Sequence, residues 1–389
     1  MKKRKAIRYV QALSLAAILS TTAIVPGTTT PEAGAAASVV PSSKEIKITY
    51  NGYAFIPETA PFNVNGTVYL PVRDVSVLLG ARVTWNNQLR RVTIQYPEKL
   101  ITLVPGATEA TMNGKKSKLT APVLIKQGRT YIPLRFLSEA LGANIAWNGT
   151  TRTVSITQTN LYATSESAAY PTLWLSRTSG ALYTVNDAVQ IPVKFGNLTA
   201  KQQGNIELKA DQLDSGGMVV TITDNYGEPS IHNTVYTLFV SNSRIVKQAK
   251  AQYFQRYEQG LTSYLGQPLL NDGKTLLLLD DKGMTQKEYD LTKLGGYDEN
   301  YAVLGMGEWY MVIRPNQTGL LTLIDLESNE AIPLHKEFLS ELEQDYSETN
   351  EVPYKGDNFT FRGETPDGKL KFEYRSMLNS KTYDYLYTR

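Results

Sequence analysis

The chain has no cysteine. Disulfides, thiolate nucleophiles, cysteine-ligated metals and a lipidated-cysteine anchor are excluded together. Histidine is nearly as scarce, with only His232 and His335 in 389 residues. Zinc sites of the His/Cys type fail on that count. A Ser-His-Asp triad survives the count, but Gly-x-Ser-x-Gly is absent, and His232 reads as structural within Ser230-Ile231-His232-Asn233. His335 falls on an acidic helical pattern, where a solvated imidazole is the expectation. Leu304-Gly305-Met306-Gly307 is followed by neither Lys nor a helix pattern, so it is no phosphate loop. Asp280-Asp281-Lys282-Gly283 lacks the spaced acids of a calcium loop and reads as a turn. No cofactor and no metal are expected.

Long apolar runs are also missing beyond the N-terminus. There, Lys2, Lys3, Arg4, Lys5 and Arg8 precede an apolar stretch from Ala12 to Val25, too short and Ser/Thr-broken for a membrane span. Ala33-Gly34-Ala35 and Ala35-Ala36-Ala37 both fit a small-x-small cleavage rule. Residues 1–37 therefore read as a signal peptide, with no transmembrane span after cleavage, and the protein as secreted; the competing reading is an uncleaved N-terminal anchor. No Leu-Pro-x-Thr-Gly signal for covalent wall attachment is present.

Charge is divided unevenly. Residues 38–157 hold fourteen Lys and Arg against six Asp and Glu, while residues 158–389 hold twenty-one against thirty. The first part thus carries a surplus of eight positive charges and the second a deficit of nine. In an exported protein a basic segment favours anionic wall polymer or glycan over nucleic acid. The competing reading is that these cations simply solvate a small sheet.

What organises the chain is a repeat. Tyr69-Leu70-Pro71-Val72-Arg73 recurs as Tyr131-Ile132-Pro133-Leu134-Arg135, and Leu79-Gly80-Ala81-Arg82-Val83-Thr84-Trp85 as Leu141-Gly142-Ala143-Asn144-Ile145-Ala146-Trp147. The offset is 62 throughout, and Asn51-Gly52 with Asn113-Gly114 and Gly66 with Gly128 keep it. Each copy reads as a strand, a helix opened by proline and closed by a left-handed glycine, and a hairpin. The fold expected is α+β tandem repeats, a short helix on a small antiparallel sheet, followed by a mainly-β domain. The copies span 44–96 and 100–157 within a segment 38–158. A Ser/Ala/Thr-rich stretch, 159–171, reads as a linker, and 172–389 as the β-rich domain.

Both copies resemble the copper amine oxidase N-terminal domain-like family, also called stalk domains, through Gly66, Tyr69, Leu70-Pro71-Val72-Arg73, Leu79-Gly80-Ala81, Val83 and Trp85 and their counterparts. The resemblance implies a fold and a surface role in secreted proteins of Gram-positive bacteria, not a reaction. An amine oxidase site needs three His and a modified Tyr, which two His cannot supply. Six residues are candidates for a ligand-binding surface: Arg73, Arg135, Tyr69, Tyr131, Trp85 and Trp147. The aromatics fit either a glycan platform or packing of helix on sheet, and their strand alternation favours packing. Arg73 and Arg135 oppose the helix dipole, so each calls for an ion pair or a bound anion, with the intramolecular pair favoured.

From 172 onward, short alternating runs such as Leu173-Leu175, Val219-Thr223, Trp309-Ile313 and Leu370-Tyr374 are separated by turn clusters, as in a sandwich or a propeller-like array of four or five blades. Arg244 to Tyr257 fits helix and strand periodicities equally. Asp280, Asp281, Asp298, Glu299 and Glu308 leave carboxylate catalysis open, since glycoside hydrolysis needs only two acids. The leading expectation is a non-enzymatic envelope-binding or structural protein. A cell-wall hydrolase and an extracellular sensor are the alternatives.

Overall fold

In the structure, a computed structural model describing residues 45–159, 161–165, 170–350 and 355–389, the two copies are not separate bodies. Strand Lys47–Tyr50 of the first copy runs parallel to Thr153–Thr157, the last strand of the second. Its counterpart Glu109–Met112 instead joins, through Lys99–Leu103, the hairpin Arg82–Asn86/Arg91–Tyr96 of the first copy. A third sheet pairs Thr67–Pro71 with Arg129–Pro133 and carries one flanking strand from each copy, Phe62–Val64 and Leu124–Lys126. All three sheets thus draw on both copies. In the third, Leu70 lies opposite Ile132, its own counterpart, so a pseudo-twofold axis passes between them.

The α+β expectation is therefore corrected. The protein is mostly β, about half strand and a tenth helix. The helices Val72–Leu78 and Leu134–Ala140 span only seven residues each. An isolated helix of that length is marginal in water, so strand pairing supplies the framework and the helices plug it. They bury Val75 and Leu137 in a core shared by both copies, with Leu70, Ile132, Ile94 and Ile156. Pro71 and Pro133 stand one position earlier than the sequence suggests, as the caps preceding each helix. Gly80 and Gly142 follow the last turn at φ of 72° and 84°, left-handed values that glycine adopts without a Cβ penalty.

Among the described residues, strands from Tyr162 to Tyr387 form five successive sheets, four of four strands and a last of three. Each takes its strands in chain order. Strand Arg244–Phe254 resolves the ambiguous segment: it pairs along Ser241–His232 with alternating exposure. Consecutive sheets pack face to face. Leu173 and Leu182 meet Val220 and Leu238. Phe239 meets Leu270 and Leu279. Leu276 meets Val303 and Met311, and Val312 and Leu323 meet Phe359 and Phe372. The stretch 159–171 supplies strand Tyr162–Thr164 to the first sheet, while Asn160 and 166–169 lie outside the described residues, as does the whole signal-peptide reading.

Two polar assemblies tie distant parts together. The first sheet is bolted to the duplicated domain: the Trp174 indole N–H donates to Gly80 O at 2.8 Å, Arg82 to Thr172 Oγ1 at 2.5 Å, and Gln95 to the carbonyls of Asp187 and Gln190. Within the five-sheet region, buried Arg314 pairs with Asp357 at 2.9 Å and Glu258 at 3.1 Å, and Arg256 completes the group on Glu258 at 2.8 Å. Burial would raise the Glu258 carboxyl, but the Arg314 and Arg256 guanidiniums outweigh it and hold the group below its ordinary value. Removing one partner from such a group strands a buried charge, which costs about 3–5 kcal/mol.

Candidate functional site

Two clefts lie on the duplicated domain, related by the pseudo-twofold. The first, about 520 Å³, is walled by helix residues Val72 and Arg73, strand residues Val83 and Trp85, and the tip of the second copy's hairpin at Gly128 and Arg129. The second, about 440 Å³, uses Leu134, Arg135, Ile145 and Trp147 against Gly66 and Thr67 of the first copy. Each residue named for one cleft is 62 positions from its partner in the other. Neither cleft exists within one copy, because its far wall is lent by the other.

The hairpin tips have a specific geometry. Asn65 and Gly66, at φ of 48° and 84°, and Gln127 and Gly128, at 50° and 71°, are two-residue turns with both central residues left-handed. Such turns match strand twist and hold the tip close to the neighbouring copy. Phe62 beside the first tip stacks on Tyr69 at 5.4 Å and tilts against Tyr131 at 5.0 Å.

This places the six sequence candidates. Tyr69 and Tyr131, each 2% exposed, are not surface groups: they belong to the hairpin strands themselves, and the Tyr69 hydroxyl donates to Pro122 O at 3.0 Å. Buried within the hairpin strands Thr67–Pro71 and Arg129–Pro133, they are corrected as ligand-surface candidates. Trp85 and Trp147 are 44% and 43% exposed and stand as cleft walls. Arg73 and Arg135 are exposed at the cleft rims. Arg135 lies 3.9 Å from Glu139, one turn on. The same position in the first copy is Val77, and among the described residues Arg73 has no carboxylate at ion-pair distance.

The sequence reading passed over Asp74. It lines the first cleft, is 8% exposed, and its Oδ2 is buried with no hydrogen-bond partner. Burial raises its carboxyl above the ordinary value, and the Glu58 charge adds to this. Backbone N–H groups of Thr59 and Glu58 and the Arg129 guanidinium oppose it without reversing it. Arg129 also donates to Thr59 Oγ1. A signal was available: the counterpart of Asp74 is Phe136, a break in an otherwise close repeat, and Phe136 packs on the core.

The carboxylates raised for catalysis lie in the five-sheet region, and three of them hold structural roles. Asp280 accepts from the backbone of Lys282 and Met284, closing a turn. Asp298 pairs with Lys274 at 2.6 Å, and buried Glu299 accepts from Gln317 N. Asp281 and Glu308 are exposed. His232 stacks on Tyr226, and buried His335 bonds Glu348 at 2.9 Å rather than facing solvent. Among the described residues no cluster of three or more potential metal ligands occurs, and no helix is long and apolar enough to cross a membrane.

Comparison with curated proteins gives no match. Among solved structures, dihydro-heme d1 dehydrogenase NirN is similar at 14% identity and a TM-score of 0.27, over 72% of this chain and 68% of that one. A streptogramin B lyase is similar at 9% and 0.24, over 85% and 87%. AztD from Citrobacter koseri is similar at 9% and 0.25, over 64% and 84%. At these scores the likenesses carry no argument about fold or function. The informative match is to a family: residues 49–156, spanning both copies and both clefts, match the copper amine oxidase N-terminal domain, an appendage without that enzyme's catalytic domain.

Proposed function

We propose that the protein is an exported, non-enzymatic envelope-binding protein. Its duplicated stalk-type domain associates with wall polymer, and its five-sheet region presents a scaffold or binding surface. The observation that carries this reading is the eight-charge basic surplus of the duplicated domain beside the acidic remainder. Part of that surplus is concentrated on one edge strand, Lys115–Lys118, whose three lysines are all exposed. Lysines on a free edge also discourage strand pairing with other chains, so the strand suits an exported protein in two ways.

The test is sedimentation of the full chain with purified Gram-positive cell wall across about 0.05–0.5 M salt, with soluble fragments assayed in the same tubes. The expected result is binding that falls as salt rises, with no fragments released. Binding indifferent to salt overturns the charge argument, and released fragments overturn the non-enzymatic reading.

A further inference from the structure

The two clefts share a framework but not a chemistry. The second has Arg135, hydroxyl and amide groups from Thr67, Thr120 and Asn63, and the Trp147 wall. The first has two carboxylates, Glu58 and Asp74, two guanidiniums, Arg73 and Arg129, and the Trp85 wall. Its charges balance, so it favours neither a bare cation nor a bare anion. What it offers is donors and acceptors side by side against a half-exposed indole face. A sugar ring matches this composition. Each hydroxyl donates to a carboxylate while accepting from a guanidinium, and the C–H face of the ring lies on the aromatic plane. Its volume is within the range of small-molecule sites.

Asp74 makes the argument specific. A buried carboxylate oxygen without a donor is costly to maintain, and native proteins rarely leave one. Here the residue that carries it lines the first cleft, and its counterpart, Phe136, packs on the core. Carboxylates line the first cleft and none is among the residues that line the second, so the first is the one suited to accept from a ligand hydroxyl.

We infer that the first cleft is a glycan subsite, with Trp85 as stacking platform and the Asp74 carboxylate as an acceptor for a sugar hydroxyl, and that the second cleft is a weaker or silent copy. The choice of glycan rests on the envelope reading. The subsite itself is distinct from the lysine-borne charge, because contacts to a neutral sugar are not screened.

The test is calorimetric titration of the full chain with chitotriose and with cellotriose at about 0.5 M salt, where surface electrostatics are suppressed. Saturable binding is expected to at least one of them. It is lost in Trp85→Ala, largely kept in Trp85→Phe, weakened about tenfold or more in Asp74→Asn, and kept within about twofold in Trp147→Ala. Thermal melting of each variant establishes that it is folded, and Trp85→Phe preserves the aromatic face where Trp85→Ala fails that check. Equal losses in the Trp85 and Trp147 variants overturn the asymmetry. Absence of binding to both sugars overturns the subsite. The envelope reading survives that result if salt-sensitive wall sedimentation persists, and falls separately if it does not.

Discussion

The two regions of the molecule use strands in opposite ways. In the five-sheet region every sheet is a meander, and the partners of a strand are its neighbours in sequence. In the duplicated domain Lys47 faces Thr153 and Leu70 faces Ile132. The first arrangement builds locally and accumulates by stacking. The second must close long loops before any sheet is complete, which is entropically demanding and slow. Equal strand content therefore hides different cooperativity: a meander sheet forms from its own segment, whereas neither copy of the repeat does.

The largest effect expected from this contrast concerns residues 44–98 expressed alone. They should give no folded monomer by circular dichroism and sedimentation velocity, because Lys47–Tyr50, Thr67–Pro71 and Arg91–Tyr96 all lose partners. A cooperative monomeric unfolding transition would break the comparison. Next in size is Arg314→Ala in the five-sheet region, expected to lower stability by about 3–5 kcal/mol in denaturant titration through the stranded Asp357. The same cluster predicts a pH dependence. Glu258 has a folded pKa below its unfolded value, so its contribution is present above the ordinary Glu range and is lost as pH falls from that range toward the lowered value. The melting temperature of the parent chain should drop on acidification through that window, and less steeply in Arg314→Ala. The smallest effect sharpens the comparison from the other side. Asp74→Asn should raise the melting temperature by about 1–2 °C at neutral pH, because it replaces a desolvated carboxylate by a neutral group. A fall of similar size would mean that Asp74 is structural.

Much of the duplicated domain is legible in the sequence, because turns and caps are local. Asn51-Gly52 and Asn113-Gly114 close hairpins, and Gly80 and Gly142 end helices. The exchange of strands is not legible. Both copies have the same apolar pattern, so Lys47–Tyr50 matches either return strand equally well by composition. Alternation also misjudges Trp85 and Trp147. It assigns them a face, but whether that face is covered depends on how far the other copy's hairpin reaches. Asp74 stands out only when the copies are read against each other. In the five-sheet region the turn clusters mark the strands, while Arg314, Asp357 and Glu258 come together from three separate segments with no shared motif.

Leu70 opposite Ile132 has a further meaning. A residue that meets its own counterpart across a twofold is the mark of an isologous dimer, in which one patch is complementary to itself. The duplicated domain is in effect such a dimer written on one chain. Covalent connection makes the pairing independent of protein concentration, since each half always has the other at high effective concentration. It also releases the halves from identity. A homodimer must place the same residue at both equivalent positions, whereas here one position holds the carboxylate of Asp74 and the other the ring of Phe136, on a shared framework.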